Sequence, residues 1–194
     1  MAEPDKPDIL IFLSDQHGFR WWSLGGESVI QTPNMEALAA DGMCFDSAYT
    51  PSPLCVPARV SFLTSMLPSS TGVFTNDGTI RGDRATFLHA LGATGYETVL
   101  CGRMHFVGED QRHGFTKRIM DDFTPQYWGR GGKQRTDLGR FAGTTGAMDC
   151  LREVGGGVSP VLDYDEAVIQ AALDYLAEDH EKPQCIVVGT YGPH

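Results

Sequence analysis

Cys55 and Arg59 are the two residues whose types and spacing point most directly to chemistry. The segment 55–64 can form a helix, and Pro57 is tolerated there because it falls in the first turn. Cys55 is therefore predicted at a helix N-terminus, where free amides and a partial positive charge favour an anion. Arg59 lies four residues on, on the same helical face, and would complete an oxyanion-binding corner. The structural alternative makes Cys55 a small buried hydrophobe and Arg59 a surface charge.

The spacing of this pair argues against a thiol-phosphatase loop, which places more residues between its cysteine and its arginine. The segment CVPAR at 55–59 instead matches the C-x-P-x-R core of the sulfatases. In that family the cysteine is oxidised after translation to formylglycine. The chain thus resembles the sulfatase family, whose fold is similar to that of alkaline phosphatase.

The resemblance covers most of the chain. The segment 8–16 resembles the first strand of the family with its metal-binding aspartate, and 32–42 and 52–65 resemble the next two elements. The segment 102–105 resembles the family's G-K-x-H element, with Arg103 in place of the lysine. Arginine keeps the charge but not the compact ammonium, so the sulfate would be gripped in a bidentate way or activity would be reduced. Within the family, 104–115 is most similar to choline-sulfatase-type members.

The resemblance implies a metal site and a modified residue. Asp15 would ligate a divalent cation, with Ca²⁺ preferred and Mg²⁺ or Mn²⁺ as alternatives, because hard cations take oxygen ligands. Cys55, as formylglycine, would be a second ligand and the nucleophile. Gln16 stands where many members have another aspartate, and it is carried only as a further candidate. The family's remaining ligands come from a later part of its chains.

The same resemblance implies roles for four more residues. Arg59 would hold the formylglycine and the sulfate oxygens, and Arg103 would add a second cation at the sulfate. His105 would take a proton from the formylglycine hydrate, and His194 would lie near the leaving oxygen. A geminal diol lets the enzyme expel sulfate while the aldehyde re-forms, so that water does not have to hydrolyse a covalent sulfate ester.

Three functions compete on these residues. The first is hydrolysis of a small organic sulfate ester of the aryl or choline type, after conversion of Cys55 by a formylglycine-generating maturation enzyme. The second keeps the same site but takes phosphonate monoesters or phosphodiesters, because these also present a tetrahedral anion. In the third, the chain is a truncated half-site without activity of its own.

The elements that must position these residues alternate between strand and helix, which predicts an α/β fold with a mostly parallel sheet flanked by helices. Ligands collect at the carboxyl ends of such strands. Asp15, Arg103 with His105, and His194 follow three apolar runs, so they should converge there. The predicted strands are 9–13, 43–49, 97–101 and 184–191, and the predicted helices are 33–40, 55–64, 85–93 and 163–179.

Periodicity fades between about 107 and 160, where glycines crowd, and this stretch is predicted as a long excursion of loops. The chain ends just past an apolar strand, so we expect residues 1–194 to be the N-terminal part of a larger catalytic domain. Trp21, Trp22, Tyr127 and Trp128 are candidates to contact a quaternary ammonium, although packing roles are favoured. His17, His89, His113 and His180 are predicted to be structural.

Composition and net charge argue against several partner classes. The 194 residues carry a net charge of −10, which disfavours nucleic acid and anionic membranes as partners. The longest N-terminal apolar run is far shorter than a membrane span, and no signal peptide is evident. Five cysteines without paired spacing favour reduced thiols and therefore the cytoplasm. None of these features argues against assembly of the chain into a homo-oligomer.

Overall fold

A four-stranded sheet organises the chain, in a computed structural model that describes residues 6–26, 29–122 and 155–194. The strands are β1 (Ile9–Leu13), β2 (Glu97–Gly102), β3 (Lys117–Met120) and β4 (Gln184–Gly189). Their order in the sheet is β1-β4-β2-β3, and all three pairings are parallel. This confirms the predicted α/β fold.

Helices cover both faces of the sheet. They are α1 (Pro33–Asp41), α2 (Cys55–Thr64), α3 (Pro68–Thr71), α4 (Phe87–Ala93) and α5 (Pro160–Leu176), and short 3₁₀ turns lie at Phe19–Trp21 and Ser23–Gly25. One core cluster joins Val60 of α2 and Leu88 of α4 to Leu100 and Val187 of the sheet. The other places Val168 of α5 against the opposite face of β2 and β4. β2 and β4 are buried almost throughout, as their unbroken apolar runs require.

Three strands end level with one another, because Leu13, Gly189 and Gly102 share one row of the register. The backbones come very close just beyond that row. A Cβ at Gly189 would lie 2.0 Å from the carbonyl oxygen of Arg103, and one at Gly102 would lie 2.4 Å from that of Gly189. Glycine is therefore required at both positions, and the residues that follow the three strands must converge.

Two parts of the sequence-based interpretation are wrong. Residues 43–49 are irregular apart from a turn at 46–47 and form no strand, and Met43, Phe45 and Tyr49 are exposed, with no neighbouring strand among the described residues. The predicted loop excursion contains β3, which pairs with β2, and α5 already begins at its end. Residues 123–154 of the excursion, which include Tyr127 and Trp128, lie outside the described residues.

The cysteines follow the expectation of reduced thiols. Cys44, Cys55, Cys101 and Cys185 are free, and Cys150 lies outside the described residues. Within the described ranges, no helix has the length and apolar character that crossing a bilayer demands.

Candidate active site

Asp15 lies at the centre of the residues that follow the strands. Its side chain is buried, with 7% of the residue exposed. One carboxylate oxygen is 2.5 Å from Nε of Arg103, and the other is 3.5 Å from an Nη of Arg59. The Sγ atom of Cys55 is 3.9 Å from that second oxygen. A buried carboxylate held by two guanidinium groups is strongly fixed in position.

The first turn of α2 presents Cys55 as predicted. Leu54 is the N-cap and makes no side-chain capping bond. Pro57 has no amide hydrogen, and the amide of Val56 donates to Oδ1 of Asn76 at 3.0 Å. Asn76 gave no signal in the sequence, because it lies in a loop outside every motif. The half-buried Cys55 therefore lies at the first position of a helix, and the next amide, that of Val56, has its hydrogen-bond acceptor on a residue distant in sequence, Asn76.

Arg59 is not a surface charge, so that part of the structural alternative is wrong. It is 9% exposed and spans the site, donating to the carbonyl oxygen of Arg103 at 3.2 Å and facing Asp15. Burial lowers its pKa, and the charge of Asp15 opposes that effect. Arginine stays charged in proteins in spite of such a shift.

Arg103 is almost completely buried, with 1% of its surface exposed. Besides Asp15, it faces Asp122 at 3.8 Å, and its guanidinium lies 4.2 Å from the ring centre of Tyr191. Another of its nitrogens is 3.9 Å from Sγ of Cys55. Burial acts to lower the pKa of Arg103, but Asp122 and Asp15 outweigh it and the net direction is upward.

His105 follows Arg103 in the turn after β2. Its backbone is left-handed, with φ of 53°, and its amide donates to Asp122 at 2.7 Å. The Nδ1 atom is 3.3 Å from a nitrogen of Arg103. Burial, reinforced by the charge of Arg103, lowers the pKa of His105 from 6.5 to about 4. The imidazole is therefore neutral at pH 7 and available to accept a proton.

His194 joins the group from the segment after β4. One of its ring nitrogens, a carboxylate oxygen of Asp15 and Sγ of Cys55 all lie within 4.8 Å of one another. Its ring centre is 4.8 Å from that of Tyr191, and burial lowers its pKa. The structure thus brings together Asp15, Cys55, Arg59, Arg103, His105 and His194.

The donor chemistry of this cluster fits part of a hard-cation site. Asp15 offers a carboxylate oxygen, and an aldehyde hydrate at residue 55 would replace a soft thiol with oxygen donors. Calcium takes roughly six to eight oxygen ligands, so further donors are needed. Gln16 follows Asp15 with an exposed side chain and φ of 57°, and its service as a ligand stays a prediction.

Other sequence candidates have structural partners. His89 bonds to Thr86 in the capping box of α4, and His113 is 3.1 Å from Asp110. His17 contacts Ser14, and His180 contacts the carbonyl oxygen of Tyr175. The ring of Trp21 lies under Arg20 at 4.8 Å. No described contact assigns these histidines to the cluster around Asp15.

Comparison with known proteins decides the family. The family model described as Sulfatase matches residues 7–194. The chain belongs to the sulfatase family. A choline-sulfatase from Rhizobium meliloti (strain 1021) is 34% identical over 97% of this chain and 38% of its own length. An N-acetylglucosamine-6-O-sulfatase from Bacteroides thetaiotaomicron is 31% identical over 99% of this chain and 31% of its own.

Two solved structures match the fold of this chain. A protein in complex with its substrate D-glucosamine-2-N,6-O-disulfate matches 98% of this chain and 35% of its own, with a TM-score of 0.71 and 25% identity. A phosphonate monoester hydrolase of Agrobacterium radiobacter matches 97% of this chain and 41% of its own, with a TM-score of 0.68 and 19% identity, and shares the fold. The chain spans about a third of the length of the curated relatives named above.

Proposed function

We propose that the chain carries the nucleophile-bearing half of a site that hydrolyses small organic sulfate esters through formylglycine at residue 55. The observation that carries this proposal is that Cys55 lies in a cluster with two buried arginines. Its Sγ atom is 3.9 Å from a nitrogen of Arg103, and Arg59 pairs with Asp15, whose carboxylate also lies next to Sγ. Two fixed guanidinium groups can neutralise the oxygens of a tetrahedral anion without reorganising.

The chemistry at residue 55 follows from its neighbours. One hydroxyl of the aldehyde hydrate attacks sulfur as the S–O bond to the alcohol breaks, and the proton of that hydroxyl passes through His194 to the leaving oxygen. His105, neutral above a pKa of about 4, takes the proton of the second hydroxyl. The carbonyl then re-forms and the C–O bond to sulfate breaks, which returns the aldehyde.

The proposal includes a divalent cation, with Ca²⁺ preferred, and a maturation enzyme that oxidises Cys55. Asp15 and the modified residue 55 would hold the cation, which would supply further neutralisation of the sulfate oxygens. Free cysteines among the described residues support a reducing compartment, so the cytoplasm is the proposed location.

The decisive experiment joins a mass measurement to a turnover assay. Conversion of Cys55 to formylglycine lowers the mass of its peptide by about 18 Da, because sulfur and two hydrogens are exchanged for oxygen. The converted chain, supplied with Ca²⁺, should hydrolyse 4-nitrophenyl sulfate, whereas C55S should stop after one turnover as a stable sulfate ester. A chain recovered only as the thiol from a host that holds the maturation enzyme would contradict the mechanism.

Choline sulfate is the first natural substrate to test, because the relative at 34% identity is a choline-sulfatase. The competing class is tested with an aryl phosphonate monoester under the same conditions. A large preference for the phosphonate would overturn the sulfatase assignment. Absence of turnover of every ester by the converted chain would favour the third hypothesis, in which this half-site is inactive alone.

A further inference from the structure

Two carboxylates behind the site hold the turns that carry its residues. Asp122, just after β3, accepts the consecutive amides of Met104 and His105 at 3.2 and 2.7 Å. Asp165 of α5 accepts the consecutive amides of Tyr191 and Gly192 at 2.6 and 2.8 Å. Each carboxylate therefore fixes the backbone immediately beyond a central strand.

The two carboxylates differ in how their oxygens are used. Both amides at Asp122 share the single oxygen Oδ2, which leaves Oδ1 facing Arg103 at 3.8 Å. At Asp165 the two amides take one oxygen each. Among the described residues, Asp122 has an arginine within ion-pair distance and Asp165 has none. Asp122 is also completely buried, so its charge acts in a low dielectric.

We propose that Asp122 is a positioning residue, which holds the guanidinium of Arg103 against residue 55 while its other oxygen fixes the turn of His105. Arg103 is then gripped from three sides, by Asp15 at Nε, by Asp122 at Nη1 and by the ring of Tyr191. The catalytic consequence rests on the proposed function, because it is there that Arg103 contacts the substrate's oxygens.

The arrangement of the oxygens provides a matched pair of variants. In D122N the amide oxygen can keep both backbone bonds, while the charge that faces Arg103 is lost and an NH₂ group replaces it. In D165N one of the two backbone bonds must be lost, but no ion pair to the site changes. D122N therefore isolates the positioning effect, and D165N isolates the effect of a weakened turn.

The proposal is tested by measuring how fast the unconverted thiol of Cys55 is alkylated, because this rate depends on whether Arg103 lies beside it. Rates of alkylation by iodoacetate and by iodoacetamide are followed by peptide mass spectrometry, with the exposed Cys44 as internal reference. The anionic reagent is favoured where a cation lies beside the thiol. In the wild-type chain, Cys55 should therefore prefer iodoacetate relative to Cys44.

Whether the preference for iodoacetate rises or falls in D122N distinguishes a displaced Arg103 from the mere loss of a negative charge. Removing a negative charge would by itself raise the preference for iodoacetate, so a fall of about threefold in D122N requires Arg103 to have moved away. D165N should keep the preference within about twofold of wild type. An unchanged or raised preference in folded D122N would overturn the proposal.

A second comparison covers the case in which D122N does not fold. R103Q leaves the charge of Asp122 facing a neutral group, and the double variant R103Q/D122N makes both groups neutral. If Asp122 acts through Arg103, the double variant should prefer iodoacetate at Cys55 at least as much as R103Q does, because only the effect of the lost negative charge remains. A preference more than about twofold below that of R103Q would overturn the proposal. These assays use the thiol form and need no turnover, so a failure of the sulfatase hypothesis in the 4-nitrophenyl sulfate assay leaves their outcome readable.

Discussion

The starts of α2 and α5 show two different uses of a helix N-terminus. At α5, the Ser159 side chain accepts the amide of Leu162 at 3.2 Å, Pro160 follows, and Asp163 lies in the first turn. The start of α2 has Leu54 at the N-cap, no acidic residue in its first turn, and the proposed nucleophile, Cys55, at its first position. One start is stabilised by its own sequence, whereas the other leaves its positive end open to an anion.

The largest effect that this difference predicts is at Arg59. R59K should lower kcat/KM for 4-nitrophenyl sulfate about 100-fold, because one ammonium cannot replace two nitrogens that contact Arg103 and Asp15. R81K is the control, since Arg81 forms an exposed pair with Asp83, and its activity should stay within about twofold of wild type. If kcat/KM fell equally in R59K and R81K, Arg59 would have no special role in turnover.

The next effect is the pH dependence of kcat/KM, which His105 in the cluster around Asp15 should set. Below the pKa of His105 the imidazole is protonated and cannot accept a proton, so kcat/KM should fall as the pH drops through about 4. It should show no loss from this group between pH 7 and 5. Circular dichroism at each pH checks that the fold persists. An acid limb near 6.5 that disappears in H105N would show that the imidazole is not buried as described.

A smaller effect is expected at Asn76, the distant partner of the α2 start. N76A should lower the free energy of unfolding by about 1 kcal/mol, because the amide of Val56 loses its acceptor. It should also lower kcat/KM several-fold, since residue 55 is carried on that turn. Urea unfolding and turnover are measured on the same preparation. Unchanged activity at reduced stability would make the α2 start as purely structural as that of α5.

The smallest effect on activity is expected at Ser159. S159A removes the side-chain cap of α5 and should lower the free energy of unfolding by about 1 kcal/mol. Its kcat/KM should equal that of wild type, because α5 supports the sheet from the face opposite α2. A loss of turnover comparable to that of N76A would show that the two helix starts are coupled.

The parts of the fold that were predictable are those with strong local patterns. β1, β2 and β4 are apolar runs, and α2 is marked by Pro57 and the spacing of its side chains. β3 was missed because it has only four residues, begins with two basic ones and lies at the edge of the sheet. The segment 43–49 carries strand-forming residues but is left exposed, so composition alone was misleading there.

The candidate site shows the same limit. Motif spacing located Cys55 and Arg59, and the carboxyl ends of strands located Asp15, Arg103 and His194. Asn76, Asp122 and Asp165 were missed because each of them accepts hydrogen bonds from backbone amides far away in the chain, and Asp122 also faces Arg103. Such a bond depends on where two turns meet in space, and no local pattern encodes that meeting.

The glycines at the ends of β2 and β4 restrict how this site can diversify. No side chain fits at Gly102 or Gly189, where a Cβ would lie 2.4 and 2.0 Å from carbonyl oxygens. A mutational library should therefore return glycine at both positions under selection for folding alone. New substrate preferences would have to arise in the surrounding loops, while the backbone at the ends of β2 and β4 stays invariant.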